Sequence, residues 1–195
     1  MKFDDLDLHT KIREGIREAG FTSCTEVQEK TLIHSLNGKD VVVQSQTGTG
    51  KTAAFLITIF QLLLQDEKFK GKKALIIAPT RELAVQIEQD AKILGGKTGL
   101  GVGSFYGGVG YAKQEAMLNS GVEVMIGTPG RLIDLNKSRK LSFDKVGILV
   151  IDEADRLFDM GFYPDITWML RHMKEPENRL TMLFSATLDQ KVRNL

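Results

Sequence analysis

Residues 40–52, Asp40-Val41-Val42-Val43-Gln44-Ser45-Gln46-Thr47-Gly48-Thr49-Gly50-Lys51-Thr52, decide the fold. A β-branched run enters a Gly/Thr-rich turn, and residues 51–64 leave it as a helix free of Gly and Pro. Strand, glycine turn and helix in that order are the context in which Gly-Lys-Thr cradles phosphate. Gly48 and Gly50 let the backbone wrap closely, so that the N–H groups of Gln46, Thr47 and Thr49 turn inward. The helix start adds the positive end of its dipole. Lys51 is expected to meet the outer phosphates and the Thr52 hydroxyl to ligate Mg2+. One position departs from the general pattern: Ser45 stands where the first glycine is usual.

Outward from this loop, apolar runs alternate with helical patterns. Strands are expected at 40–44, 73–78, 101–106, 122–127, 145–151 and 180–184, and helices at 8–19, 51–64, 80–94, 110–118, 131–135 and 162–173. Val146-Gly147-Ile148-Leu149-Val150-Ile151 is apolar throughout, as a strand buried on both faces must be. The fold class is therefore α/β, a mostly parallel sheet with helices on both faces. The charged stretch 66–73 reads as a solvated loop. Phe162, Ile166, Met169, Leu170 and Met173 read as a helical core stripe.

Asp152-Glu153-Ala154-Asp155 follows the run 145–151 directly. In a parallel sheet the C-terminal strand ends lie on one side, which brings this turn beside the phosphate loop. Asp152 would hold Mg2+ through water, and Glu153 would orient or deprotonate an attacking water. Acidic residues at a helix start also simply stabilise it, so the assignment leans on the loop upstream.

Composition sets limits on the rest. With 195 residues there is room for one domain, or at most a small pair. No apolar run reaches the roughly 18 residues of a membrane helix, and the start Met1-Lys2-Phe3-Asp4-Asp5 is unlike a secretory leader. A cytoplasmic protein without a membrane partner is expected. Cys24 has no second cysteine to pair with, and His9, His34 and His172 are far apart, which disfavours a zinc site. The 26 basic and 25 acidic residues leave a net charge of +1, so any nucleic-acid binding must come from locally placed donors.

With these pieces in place the sequence resembles the DEAD-box RNA helicases. Asp152-Glu153-Ala154-Asp155 stands in family order with Pro79-Thr80-Arg81-Glu82-Leu83-Ala84, Gly107-Gly108, Thr128-Pro129-Gly130-Arg131 and Ser185-Ala186-Thr187. Residues 20–28 resemble the family's adenine-recognition motif, with Phe3 at the upstream aromatic position. Cys24 replaces the usual Pro, and Ser45 the usual Ala. Cys24, residues 110–114 and residues 179–188 are similar to the bacterial branch associated with RNA-degradation machinery.

The resemblance implies a RecA-like P-loop domain at 29–195, with 1–28 as its N-terminal helix and adenine motif. It implies ATP and Mg2+, and Lys51, Asp152 and Glu153 as the catalytic set. Gln28 would read the adenine edge and Phe3 would stack on the base, although Thr25-x-x-Gln28 is equally a capping box. Pro79, Thr80, Arg81, Gly107, Gly108, Thr128, Pro129, Gly130 and Arg131 would grip the RNA backbone without reading sequence, while Thr80, Thr128 and Pro129 also suit plain helix capping. Asp155, Ser185 and Thr187 would couple ATP hydrolysis to strand separation. The family's second domain is not in this sequence, so a monomeric half-enzyme with little turnover of its own is expected. A non-catalytic nucleotide- or RNA-binding module and a small-molecule kinase are the competing readings. The kinase leaves Gln28, 128–131 and 185–187 unexplained.

Overall fold

Successive residues of a strand point to opposite faces of its sheet, and here both faces are covered over the central strands, while Val42 and Gln44 of the first strand are exposed. The computed structural model describes residues 1–174 and 176–195. Its strands are β1 (Val41–Gln44), β2 (Lys73–Ile77), β3 (Val102–Phe105), β4 (Val124–Gly127), β5 (Val146–Ile151) and β6 (Leu180–Ser185). They pair in the order β1-β6-β5-β2-β4-β3, every pairing parallel. The helices among the described residues are α1 (Thr10–Glu18), α2 (Glu26–Ser35), α3 (Lys51–Gln65), α4 (Arg81–Leu94), α5 (Tyr111–Ser120), α6 (Pro129–Lys137), α7 (Ala154–Asp159), α8 (Tyr163–Arg171) and α9 (Gln190–Arg193).

Alternation divides the core in two. Ala74, Ile76, Ile148, Val150, Met182 and Phe184 face a layer built from α1, α2, α3 and α4. Leu75, Ile77, Leu149, Ile151 and Leu183 face the opposite layer, with residues from α6, α7, α8 and α9. The expected stripe on α8 is packed as core: Ile166, Met169 and Met173 are buried, and Phe162 and Leu170 pack against them. The N-terminal segment is tied to the same body. Lys2 bridges Ser23, Phe3 lies in the first cluster, and α1 touches α4 so closely that a Cβ on Gly15 would stand 2.0 Å from the Leu94 carbonyl oxygen.

The expected loop at 66–73 is only partly solvated. It contains a single 3-10 turn, Glu67–Phe69, and Phe69 is fully buried in the first cluster. Burying one aromatic ring outweighs the polar character of its neighbours.

Strand order places the chemistry. The loops after β1 and β5 flank the end of β6, so residues 45–52, 152–155 and 185–187 meet at one edge of the sheet.

Candidate nucleotide and nucleic-acid site

The phosphate loop is anchored at its entrance, where the Ser45 N–H donates to the Ser185 carbonyl at 2.9 Å. Within it, the Thr49 hydroxyl donates to the Gln46 carbonyl at 2.9 Å. Gly48 and Gly50 have φ of 83° and 81°, a region that costs other residues about 1–2 kcal/mol. Gly50 is fixed twice over, since a Cβ there would stand 2.3 Å from Gln28 Nε2. α3 starts at Gly50 with no side-chain cap and no acid in its first turn, so its first N–H groups are left for a ligand. Ser45 is buried, and its hydroxyl has no partner among the described residues. A small side chain fits where the general pattern has Gly, at the cost of one unpaired hydroxyl.

Beneath the loop Lys51 Nζ forms an ion pair with Asp152 Oδ1, both side chains buried. The same oxygen accepts from the Glu153 N–H at 3.0 Å, while Oδ2 has no partner. Burial pushes the Asp152 carboxyl above its ordinary pKa, with Lys51 pulling against that shift. Glu153 has φ of 51°, a left-handed conformation that strains a residue with a Cβ, and its carboxylate lies 3.6 Å from Arg156.

Gln28 does more than the sequence reading separated. It completes a capping box with Thr25: Thr25 N–H donates to Gln28 Oε1 at 2.8 Å, and Gln28 N–H to Thr25 Oγ1 at 3.2 Å. It also donates from Nε2 to the Gly50 carbonyl at 3.1 Å, and Thr25 Oγ1 donates to the Thr49 carbonyl at 2.7 Å. The cap and the glycine loop are joined in one structure, and the buried carboxamide is engaged on both ends.

Phe3 presents no open face for a base. It is 3% exposed, and its ring lies 6.0 Å from that of Phe21 at an interplanar angle of 27°. Phe21 is the exposed ring, 39% accessible, at a cavity of about 380 Å3 that also reaches Thr47, Gly48, Lys51, Thr52 and Glu153. Asp90 of α4 lines the same cavity, holds Gln86 Nε2 at 3.2 Å, and has its carboxyl raised by burial. Phe21 lies inside the adenine-like segment, but nothing in the pattern distinguished it from Phe3. Asp90 carried no signal beyond a polar helical face.

The expected backbone-gripping residues divide into two sets. Thr80 caps α4 by accepting from the Leu83 N–H at 3.2 Å. Arg81 is exposed, with its guanidinium 5.0 Å from the Tyr106 ring centre. Gly107, Gly108 and Gly130 are exposed. Thr128 occupies the cap position of α6 but makes no side-chain cap bond, contrary to the expected capping. Pro79 and Pro129 are buried. Arg131 is also buried: it donates to Gln114 Oε1 at 3.0 Å and to the Val109 carbonyl at 2.9 Å, and lies 4.1 Å from the Tyr111 ring centre. Two of its five N–H donors brace Gln114 and the Val109 carbonyl, which ties the buried guanidinium to the loop that carries Gly107 and Gly108.

Ser185 and Thr187 do reach Asp155. The Asp155 N–H donates to Ser185 Oγ at 3.2 Å, and Thr187 Oγ1 donates to Asp155 Oδ2 at 3.3 Å. The residues set aside from function have structural partners: His9 caps α1 through Nδ1, and His172 stacks on Trp168 at 3.8 Å. Burial pushes the Cys24 thiol up, away from a reactive thiolate.

The family model for the DEAD/DEAH box helicase matches residues 25–195. The chain belongs to the DEAD/DEAH box helicase family. Over its whole length it is 52% identical to the ATP-dependent RNA helicase RhlB of Pasteurella multocida and 50% identical to that of Escherichia coli. In each case it spans 47% of the relative, about half. Among solved structures, a DEAD box protein from Methanococcus jannaschii matches all of this chain and 52% of its own, at 34% identity and a TM-score of 0.91. A hypothetical ATP-dependent RNA helicase from Sulfolobus tokodaii matches 96% of this chain and 53% of its own, at 39% identity and a TM-score of 0.86. The α/β class and the helicase resemblance read from the sequence stand on these matches. No helix among the described residues is long and apolar enough to cross a membrane.

Proposed function

We propose that this chain is the ATP-binding domain of an ATP-dependent RNA helicase, holding Mg-ATP on residues 45–52 and single-stranded RNA on the adjacent loop cluster. The observation that carries this reading is the buried Lys51–Asp152 pair under a left-handed glycine loop, with Gln28 bonded to that loop.

The residues suit magnesium bound with a nucleotide. Asp152 keeps one buried oxygen without a partner, and Thr52 stands in the first turn of α3 with its hydroxyl free of any cap role. No three His, Cys, Asp or Glu side chains among the described residues group to hold a metal by themselves. Thr52 and, through water, Asp152 would therefore hold the ion together with phosphate oxygens. When bound, it supplies charge neutralisation on the phosphates.

The chain's own residues do the rest. Lys51 must leave Asp152 to meet phosphate, so binding exchanges one buried ion pair for another. Free N–H groups at the start of α3 take phosphate oxygens. Glu153, held by its strained backbone at the mouth of the cavity, accepts a proton from the attacking water. Phe21 stacks on the base, with Phe3 backing it and Gln28 fixing the loop. Arg81, Gly107, Gly108, Thr128 and Gly130 offer the RNA surface, and Pro79 and Arg131 hold it in shape. Asp155, Ser185 and Thr187 couple the carboxylate turn to the end of β6.

Full activity requires a second domain that brings arginines to the outer phosphate, an effect worth about 10³–10⁵ in rate. A monomer acting in the cytoplasm with RNA-degradation machinery is part of this reading, supported by likeness to relatives named RhlB. The test is phosphate release from Mg-ATP with and without single-stranded RNA, Glu153→Gln serving as control. Nucleotide binding with little turnover supports a half-enzyme. RNA-stimulated turnover that Glu153→Gln abolishes supports the enzyme but refutes the need for a second domain. Absence of ATP binding refutes the reading.

A further inference from the structure

One face of α4 walls the cavity that reaches the phosphate loop. Leu83, Gln86, Asp90 and Ile93 recur every three or four residues, and all four line it. The two ends of this wall differ. The start of α4 adjoins the carboxylate turn, because Ile77 at the end of β2 pairs with Ile151 and its carbonyl accepts from the Asp152 N–H at 3.0 Å. The far end adjoins α1, where Leu94 meets Gly15, and the chain leaving α1 brings Ala19 and Phe21 to the same cavity. The cavity therefore runs along α4 from Lys51 and Glu153 to Phe21, with Gln86 and Asp90 between its charged end and its apolar end.

Asp90 is half-buried and has no cation to pair with among the described residues. Gln86 Nε2 donates to its Oδ1 at 3.2 Å, and Oδ2 takes no bond from a described group. Burial raises its carboxyl above the ordinary pKa, and the Gln86 bond opposes that shift. Gln28 spends its carboxamide on Thr25 and on the Gly50 carbonyl. Outside the phosphate loop and the carboxylate turn, Gln86 and Asp90 are thus the polar side chains that this wall offers a ligand.

We propose that Asp90 determines sugar specificity: its carboxylate accepts hydrogen bonds from the 2′- and 3′-hydroxyls of a ribonucleotide whose base lies on Phe21. A carboxylate accepts from both donors of a vicinal diol, the chemistry by which acidic residues hold ribose in other nucleotide-binding folds. The position suits it. At about 1.5 Å of rise per residue, Asp90 stands about 10 Å beyond Leu83 and about 4.5 Å short of Ile93, between the phosphate end and the base end. Gln86 fixes the orientation of the carboxylate. The assignment rests on the nucleotide-binding reading above and adds to it a residue that no sequence motif marks.

Calorimetric titration of the chain with Mg-ATP and with Mg-2′,3′-dideoxy-ATP tests it. The parent should prefer ATP by about tenfold. Asp90→Ala should lose that preference through weaker ATP binding alone, with dideoxy-ATP affinity and melting temperature close to the parent's. Asp90→Asn, which keeps one acceptor, should fall between the two. Equal affinity of the parent for the two nucleotides overturns the assignment, as does an Asp90→Ala variant that weakens both alike; either leaves the nucleotide reading intact. Loss of a preference for ATP over ITP in Asp90→Ala, with the sugar preference kept, would place the carboxylate on the base and likewise overturn it. Failure of the parent to bind ATP overturns both.

Discussion

Replacing Lys51 with Ala removes the ammonium that pairs with a fully buried carboxylate. Breaking a buried pair from one side costs about 3–5 kcal/mol, because the remaining charge has lost its partner and water cannot take its place. For a chain of this size 1 kcal/mol moves Tm by about 2–4 °C, so a fall of about 6–20 °C is expected near neutral pH. The loss must depend on pH. Burial already holds the Asp152 carboxyl above its ordinary pKa, and Lys51 opposes that shift. Without Lys51 the folded-state pKa rises further, so the folded chain holds the proton more tightly than the unfolded chain. The penalty is absent below the unfolded pKa. It grows by up to about 1.4 kcal/mol per pH unit as pH rises toward the folded pKa, then levels off. Calorimetric melting of the parent, Lys51→Ala, Asp152→Asn and the double variant between about pH 4 and 8 tests this. The gap between parent and Lys51→Ala should widen with pH, and the double variant should recover part of the loss. A gap that does not change with pH, together with additive single effects, would show that Lys51 acts through packing alone and refute the argument.

Gln28→Ala removes the capping acceptor and the bond to Gly50 together; stability should fall by about 1–2 kcal/mol and Mg-ATP affinity should fall with it, as read by calorimetry. Unchanged ATP affinity would mean that the link to the loop has no part in binding. Phe21→Ala should weaken ATP binding with a small change in Tm, whereas Phe3→Ala should cost about 3–5 kcal/mol as a core cavity; similar stability losses in both would contradict the division of roles between the rings. Arg131→Ala leaves Gln114 Oε1 and the Val109 carbonyl unpaired, so amide exchange at 109–110 should quicken and stability should drop by about 1–3 kcal/mol, with no rescue by Lys. Weaker RNA binding with no change in stability or exchange would instead restore Arg131 as a direct contact.

The sheet was legible because its central strands are short, largely apolar runs bounded by turn residues, and parallel strands buried on both faces write that pattern strongly. α2 was harder to see. Its buried residues, Gln28, Thr31, Leu32 and Ser35, make no apolar stripe, and only the Thr25–Gln28 box announced it. Phe69 was hidden by charged neighbours. At the site, glycine spacing marked the turn at 45–52 because its left-handed backbone at Gly48 and Gly50 demands those residues. Arg131 and Phe3 were legible as members of motifs, but sequence carries no record of which side of a backbone a side chain occupies. Arg131 turns inward to Gln114, a residue 17 positions earlier that no local pattern connects to it. The pairing of Phe3 with Phe21 likewise depends on the chain doubling back at Lys2 and Ser23.

If residues 45–52 hold a nucleotide as proposed, the contacts around them decide what that binding costs. Thr25 and Gln28 hold the carbonyls of Thr49 and Gly50 from one side, and Ser185 holds Ser45 from the other. These bonds use carbonyls and the loop entrance, leaving the inward N–H groups at the start of α3 for phosphate. The loop is thus preorganised at its rim, but its central cation is tied to Asp152. Under the proposed function, phosphate binding separates that pair in a buried site, so part of the phosphate attraction goes into replacing an interaction already present. The strain at Glu153 sits one residue away, and Asp155 is bonded to Ser185 and Thr187 beyond it. Moving Lys51 therefore disturbs a turn that is linked, within four residues, to the end of β6 and to the same Ser185 that anchors the loop entrance. The loop entrance and the carboxylate turn thus share Ser185, so a displacement of residues 185–187 has a direct route to the position of Glu153.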